Sequence, residues 1–325
     1  MIGYDPEFLG ENFKIDIPWI RYDVFADVLK RDVLRRNYIV DYLHYSVVMS
    51  KKNRQAYLSA CNLDQTQYRS VKGRNWFVDL DIGPENQLDN RYYKGKNNLW
   101  DRGHLTRRTA VTWGVSDEIA RKASNASCSY ANACLQHCNF NQDEWRIPEK
   151  LAQKFKRDLD GRLSIMTGPL FTENDRWFDP ADYDIPPGRI PSGFWKILYY
   201  IDKKKTEEAG QQVLGCEAYL VYQDQLSLLD KAGDERIEIA TLQVTISELA
   251  DLTGIEFPEL LYNANPLWYH TGEGRDNTEP ERYEIKASED CPRVIPSDNI
   301  KKGWIGHVIH DRDDIKKHGF KRISK

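Results

Sequence analysis

Asp101-Arg102-Gly103-His104 puts an imidazole two residues from a guanidinium, with a glycine between them. Histidine titrates near neutrality, so it can take a proton from water. An arginine fork matches the oxygens of a phosphate. A lone tetrapeptide of this kind also serves as an ordinary surface turn, so its company decides the reading. About thirty residues downstream stand Asn132, Gln136, Asn141, Trp145 and Glu149, and Arg74 lies upstream in Gly73-Arg74-Asn75-Trp76. A helix between Asn141 and Glu149 would place them about two turns apart on one face. Hard oxygen donors of this type suit a cation such as Mg²⁺, which sheds its water reluctantly. Phosphodiester hydrolysis needs an activated water, neutralised phosphate charge and help for the departing oxygen, and this set can supply all three.

Local charge indicates where a polyanion would lie. Residues 91–108 hold Arg91, Lys94, Lys96, Arg102, Arg107 and Arg108 against Asp101, six cations to one anion, in a chain whose net charge is −4. Tyr92, Tyr93 and Trp100 interleave with them and are expected either to stack on a base or ribose or to turn inward. Phosphate contacts alone give little base specificity, so both DNA and RNA are expected substrates. The chain-wide acidity excludes a protein that coats nucleic acid through bulk charge. With 40% hydrophobic and 12% aromatic residues, the 325-residue chain is expected to fold around a real core rather than stay disordered. No apolar run approaches a membrane span, so no membrane partner is expected. The first twenty residues lack a basic stretch followed by an apolar one, and a cytoplasmic location is the expectation.

The positioning elements read as α+β, with a mostly antiparallel central sheet and flanking helices. Helical spacing covers 22–37. His44–Ser50, a polar turn and Gln55–Asn62 form a hairpin. Asn75–Ile82 reads as a strand, and 83–99, rich in Gly, Pro and Asn, as a long loop of the kind that is usually functional. Pro148–Leu159 reads as a helix, and Leu163–Met166 as a strand that turns at Thr167-Gly168-Pro169. Trp195–Ile201, Gly215–Tyr222 and Ile237–Val244 are further strands. Thr245 and Glu248 form a capping box for a helix ending at Gly254. Three regions follow: an irregular and helical N-terminal extension over 1–34, a main domain over 35–262, and a polar extension over 263–325. In the last, Trp268, Trp304 and the run Lys316–Lys325 could dock a partner or pack over the sheet.

In collinear order over roughly 35–262, the chain resembles the DNA/RNA non-specific endonuclease family, whose site is a ββα-metal, or His-Me, finger. The DRGH tetrad matches, as does N-x3-Q-x4-N-x3-W-x3-E at Asn132, Gln136, Asn141, Trp145 and Glu149. Thr167–Phe171, Ile190-Pro191-x2-Phe194-x-Lys196 and Val244–Gly254 resemble the family's TGPLF, IPxxFxK and late-helix segments. The resemblance implies that His104 is the general base and Asn141 the Mg²⁺ ligand, with Mn²⁺ as an alternative ion. Glu149 would hold metal-bound water, and the products would carry 5′-phosphate and 3′-hydroxyl ends. Arg74 and Arg102 would meet the phosphate, Asn132 would position substrate or transition state, and Asp101 and Gly103 would shape the strand end. Lys94, Lys96, Arg107 and Arg108 are the expected substrate-binding cations. For Arg74, Asn132 and Asp101, ordinary turn hydrogen bonding is an equally weighted alternative. Two departures stand out: Leu135 where the family often has proline, and Pro148, which removes an N–H just before Glu149.

Cys128, Cys134, His137 and Cys138 crowd one segment. Tetrahedral zinc sites usually pair two separated knuckles, so free thiols are expected here rather than structural Zn²⁺. The alternative functions are a small-molecule phosphodiesterase, which would not need the basic loop, and a catalytically idle nuclease-like binding or scaffold module. A non-specific nuclease endangers its host, so an inhibitory or activating protein partner is expected, and the resemblance makes a homodimer reasonable.

Overall fold

The computed structural model describes residues 3–94, 98–138, 140, 141, 145, 149, 152, 158–173, 175–180, 182–223 and 242–265, with the pairs 283–284 and 321–322. Short elements lead in: β1 (Trp19–Ile20) and α1 (Tyr22–Phe25). The main strands follow as β2 (Ile39–Tyr42), β3 (Tyr45–Met49) and β4 (Ala56–Asp64). Next come β5 (Trp100–His104), α2 (Arg108–Val111), α3 (Asp117–Ala126), β6 (Ala133–His137) and β7 (Asp158–Leu170). Two short strands, β8 (Trp177–Phe178) and β9 (Gly188–Arg189), precede β10 (Gly193–Asp202), β11 (Leu214–Tyr222) and β12 (Leu242–Gln243). A seven-stranded antiparallel sheet runs in the order β12-β11-β10-β7-β4-β3-β2. The α+β expectation therefore holds.

Both faces of this sheet are covered, which is why its strands read as nearly unbroken apolar runs. On β10, Trp195, Ile197, Tyr199 and Ile201 face one cluster with Ile15, Ile20, Leu249 and Ile255. Phe194, Leu198 and Tyr200 face the other, with Leu105, Val111, Phe140 and Trp145. The two-residue period of a strand thus sorts one sequence onto two layers. The second layer lies under the β5–β6 hairpin. The residues before 35 divide between the layers: Tyr4, Leu9, Ile15 and Ile20 are buried in the first, where β1 pairs with Ile255–Glu256, and Leu29 and Leu34 in the second.

The expected hairpin and the strands at 195–201 and 215–222 are present, as is the capping box at Thr245 and Glu248 with Gly254 in the left-handed region at φ 70. Four expectations change. Over 22–37 the helix stops at Phe25, because Leu29 N–H turns to Met49 and Arg36 and Asn37 take left-handed φ values of 54 and 59. Asn75–Ile82 is not a strand: Gln87 donates to the Asp79 carbonyl and accepts from its N–H, replacing a ladder with a side chain. Thr167-Gly168-Pro169 is no turn but the straight continuation of β7. There Gly168 pairs with Trp195, and a methyl group at Gly168 would strike the Tyr57 carbonyl and the Trp195 ring. Asp158 and Leu159, expected to close a helix over 148–159, stand in β7 instead, and most of that span, with Pro148, lies outside the described residues. Residues 237–241 and nearly all of 266–325, including Trp268, Trp304 and most of Lys316–Lys325, are likewise outside them. No helix among the described residues is long and apolar enough to cross a membrane.

Candidate active site

The β5–β6 hairpin presents the site. Its register sets Asp101 opposite Gln136, Arg102 opposite Leu135, Gly103 opposite Cys134 and His104 opposite Ala133. Gly103 is required by close approach: any side chain there would collide with that of Gln136, which packs across the hairpin. Asn132 ties down the exit from β5. It is 0% exposed, its Oδ1 accepts from Thr106 N at 2.8 Å, and its Nδ2 donates to Thr106 O at 2.8 Å and Ser127 O at 2.9 Å. Asn132 thus clamps the backbone behind His104, the hydrogen-bonding arrangement that stood beside a substrate contact as its alternative. Asn132→Ala would leave three buried backbone groups without a partner, and a loss of about 2–4 kcal/mol in stability is expected, read as a lower urea midpoint.

His104 lies under the edge of Trp76, with ring centroids 4.7 Å apart and planes at 48°. Its Nε2 is enclosed and has no hydrogen-bond partner among the described residues. Burial, then the charges of Arg74, Arg108, Arg107 and Arg102, push its pKa down from 6.5 to about 3. The ring is thus a neutral base ringed by cations. Those cations are held in place from the side. Arg102 donates to Asn90 Oδ1 at 3.1 Å and lies 5.5 Å from the centre of the Trp76 ring. Arg108 donates to Val71 O and Ser124 Oγ, each at 3.1 Å. Arg74 is exposed and reaches His104 through its charge. Arg102 Nε, Arg107 Nη1 and Arg108 Nε are buried N–H groups with no acceptor among the described residues. Buried donors are ordinarily satisfied, and an anion with several oxygens would satisfy these.

Asn141 and Glu149 follow β6. Asn141 Nδ2 donates to Asp101 Oδ2 at 2.9 Å. An ionised carboxylate only accepts, so this contact fixes which end of the amide faces Asp101 and leaves Asn141 Oδ1 directed elsewhere. Glu149 Oε2 is 3.6 Å from Arg107 Nε, and its side chain is 10% exposed. Among the described residues no group of three or more His, Cys, Asp or Glu side chains converges. A cation held here by an amide oxygen, with a carboxylate nearby, would keep most of its water, and that is the habit of Mg²⁺. The donor set fits such an ion.

Over residues 30–264 the chain matches the family model described as DNA/RNA non-specific endonuclease. The chain belongs to this family. Among curated proteins, an uncharacterized protein of Sinorhizobium fredii, y4fB, is 28% identical over 252 residues, covering 72% of this chain and 34% of that one. The chain thus spans about a third of that relative's length. Among solved structures, a chain of the EndoG/EndoGI complex, a structure concerned with the mechanism of EndoG inhibition, aligns with a TM-score of 0.50 at 15% identity, covering 69% of this chain and 86% of that one. At that identity the likeness speaks for the fold, and the fold is EndoG-like.

In the basic loop of this endonuclease-family chain the aromatics take the inward of the two expected directions. Tyr92 and Tyr93 are 1% and 8% exposed and join Leu88, Tyr130 and Leu135 in a small apolar cluster, so they do not stack on a ligand. Trp100 packs against the same cluster. Arg91 is bound by Asp89, with Nη2 2.6 Å from Oδ2, so much of its charge is cancelled locally. Lys94 is exposed, and Lys96 lies outside the described residues. Cys128, Cys134 and His137 are buried, Cys138 is half-buried, and the four do not gather as a metal-binding group. Burial drives the Cys134 thiol far up from its ordinary pKa, keeping it neutral. Lys196, in sequence only a motif position, is buried and shares a cavity with Arg107 and Glu149.

Proposed function

We propose that this chain is an active, metal-dependent endonuclease that hydrolyses phosphodiester bonds of DNA and RNA without reading base sequence. The observation that carries this reading is the set of three buried guanidinium N–H groups without acceptors among the described residues, gathered around a neutral histidine. His104 takes a proton from the attacking water as its oxygen bonds to phosphorus. The bond to the 3′ oxygen breaks and that oxygen takes a proton from solvent water, leaving 5′-phosphate and 3′-hydroxyl ends. Arg74 and Arg102 bind the reacting phosphate, while Arg107, Arg108, Lys94 and Lys96 bind the flanking backbone. Asn141 Oδ1, oriented by Asp101, would hold Mg²⁺ or Mn²⁺, and Glu149 would steady the ion's water. The ion, when bound, offsets charge on the phosphate and the departing oxygen. Asn132 acts by positioning the chain that carries His104. By analogy with EndoG in its complex with EndoGI, a protein inhibitor would bind over this cationic face.

Supercoiled plasmid and single-stranded RNA, each incubated with the purified protein in Mg²⁺, Mn²⁺ and EDTA, test the proposal. Nicking of both in either metal and no cutting in EDTA are expected. Cutting that survives EDTA would remove the metal from the scheme. Binding without cutting under every metal would favour the idle binding module.

A further inference from the structure

Lys196 places a cation where a charge is costly. It sits on β10 between Phe194 and Leu198, on the face beneath the site, and is 2% exposed. Its Nζ donates to Thr167 Oγ1 on β7 at 2.8 Å and lies 5.0 Å from the centre of the Trp145 ring. A hydroxyl and a ring face cannot compensate an ammonium removed from water. Burial accordingly pulls the Lys196 pKa down to about 8, and Glu149 is the first charge that resists it. Cys61 also acts in that direction, but burial raises its own thiol to about 11 and leaves it uncharged. Lys196, Arg107, Thr109 and Glu149 line one cavity of about 10 Å³, the size of a single water. Arg107 reaches Glu149 at 3.6 Å. One carboxylate therefore lies in the field of two buried or half-buried cations, one of them anchored to the central sheet.

We propose that Lys196 is a positioning residue, which together with Arg107 fixes the Glu149 carboxylate at the metal-facing side of the site. The inference rests on the role proposed above for Glu149. A flexible glutamate held by Arg107 alone could follow that arginine to a phosphate. Lys196 is tethered away from the substrate, its buried ammonium bonded to Thr167 within the β7–β10 ladder. The carboxylate thus has one fixed countercharge that substrate does not displace.

The test uses the full chain and reads Mn²⁺ binding by calorimetry without nucleic acid, beside the Mg²⁺ half-saturation of plasmid cleavage. Glu149→Gln sets the scale. Lys196→Met keeps the length and drops the charge; it is expected to weaken Mn²⁺ binding about tenfold, as loss of a residue supporting a ligand commonly does. KM for an oligonucleotide at saturating metal should stay within about twofold of wild type, and Lys196→Met should add nothing in a Glu149→Gln background. Thr167→Val leaves the lysine but frees its head, and a shift of about threefold in the same direction is expected, so the idea remains testable if Lys196→Met folds poorly. Wild-type Mn²⁺ affinity in Lys196→Met or Thr167→Val, beside an impaired Glu149→Gln, would overturn the Lys196 role alone. Additive losses in the double variant would do the same. If Glu149→Gln itself binds Mn²⁺ normally, the proposed role of Glu149 falls, and this inference falls with it.

Discussion

His104→Ala is expected to slow cleavage of plasmid by about 10²- to 10⁴-fold while binding of uncleaved DNA stays within a few-fold of wild type. The unperturbed pKa of the imidazole lies near neutrality, and its neutral state is enforced by burial and by four arginines. The same surroundings predict the pH profile. Protonation destroys the base, so activity falls as pH falls through the relevant pKa. In the free protein that pKa is far below 6.5, at about 3. The acid limb of kcat/KM, which reports the free protein, should therefore lie below the ordinary histidine range. A bound phosphate cancels arginine charge and raises the pKa, so the acid limb of kcat should sit at higher pH than that of kcat/KM. Coincident limbs near pH 6.5 would mean that the arginines do not control the base. Cleavage by His104→Ala at the wild-type rate would remove His104 from the reaction.

How much of this could be read from the residues differs from place to place. The tetrad at 101–104 and the spaced run from Asn132 to Glu149 marked both candidate ends of the site, but the β5–β6 hairpin that joins them is absent from the expected strands, because its short, polar sequence shows no alternating apolar pattern. Asn132 is a different case. Its side chain is a plausible substrate contact on paper, and only its burial and three hydrogen bonds make it a backbone clamp. Tyr92 and Tyr93 illustrate the same limit: an aromatic in a basic loop can face either way, and here Tyr130 and Leu135 supply an apolar alternative to solvent. Lys196 did leave a signal. It is a cation within Phe-Trp-Lys-Ile-Leu-Tyr-Tyr, in phase with Phe194 and Leu198, and a charge on a core-facing strand position needs a partner. Arg36, Asn37 and Asp79 show why the elements at 22–37 and 75–82 were misread. Backbone conformation and side-chain hydrogen bonds settled those segments, and neither is carried by apolar periodicity.

Asn141→Ala is expected to cost about 10²- to 10⁴-fold in cleavage, since it removes the one protein oxygen proposed to hold the ion and with it several kcal/mol of charge stabilisation. The comparison with Asp101→Asn is more discriminating. Asp101 accepts from Asn141 Nδ2 at 2.9 Å, and a carboxylate tolerates no other orientation of that amide. An asparagine at 101 can present either N–H or C=O, so it turns the Asn141 amide for part of the time and takes Oδ1 away from the ion. The expected result is a 10- to 100-fold rise in the Mg²⁺ concentration for half-maximal cleavage, with near-normal rates at saturating Mg²⁺. Asn141→Ala should not recover at any Mg²⁺ concentration, because no oriented oxygen remains to be filled. Normal Mg²⁺ dependence in Asp101→Asn would show that the amide is oriented by something other than Asp101. Recovery of Asn141→Ala in excess Mg²⁺ would move the ion away from Asn141 altogether.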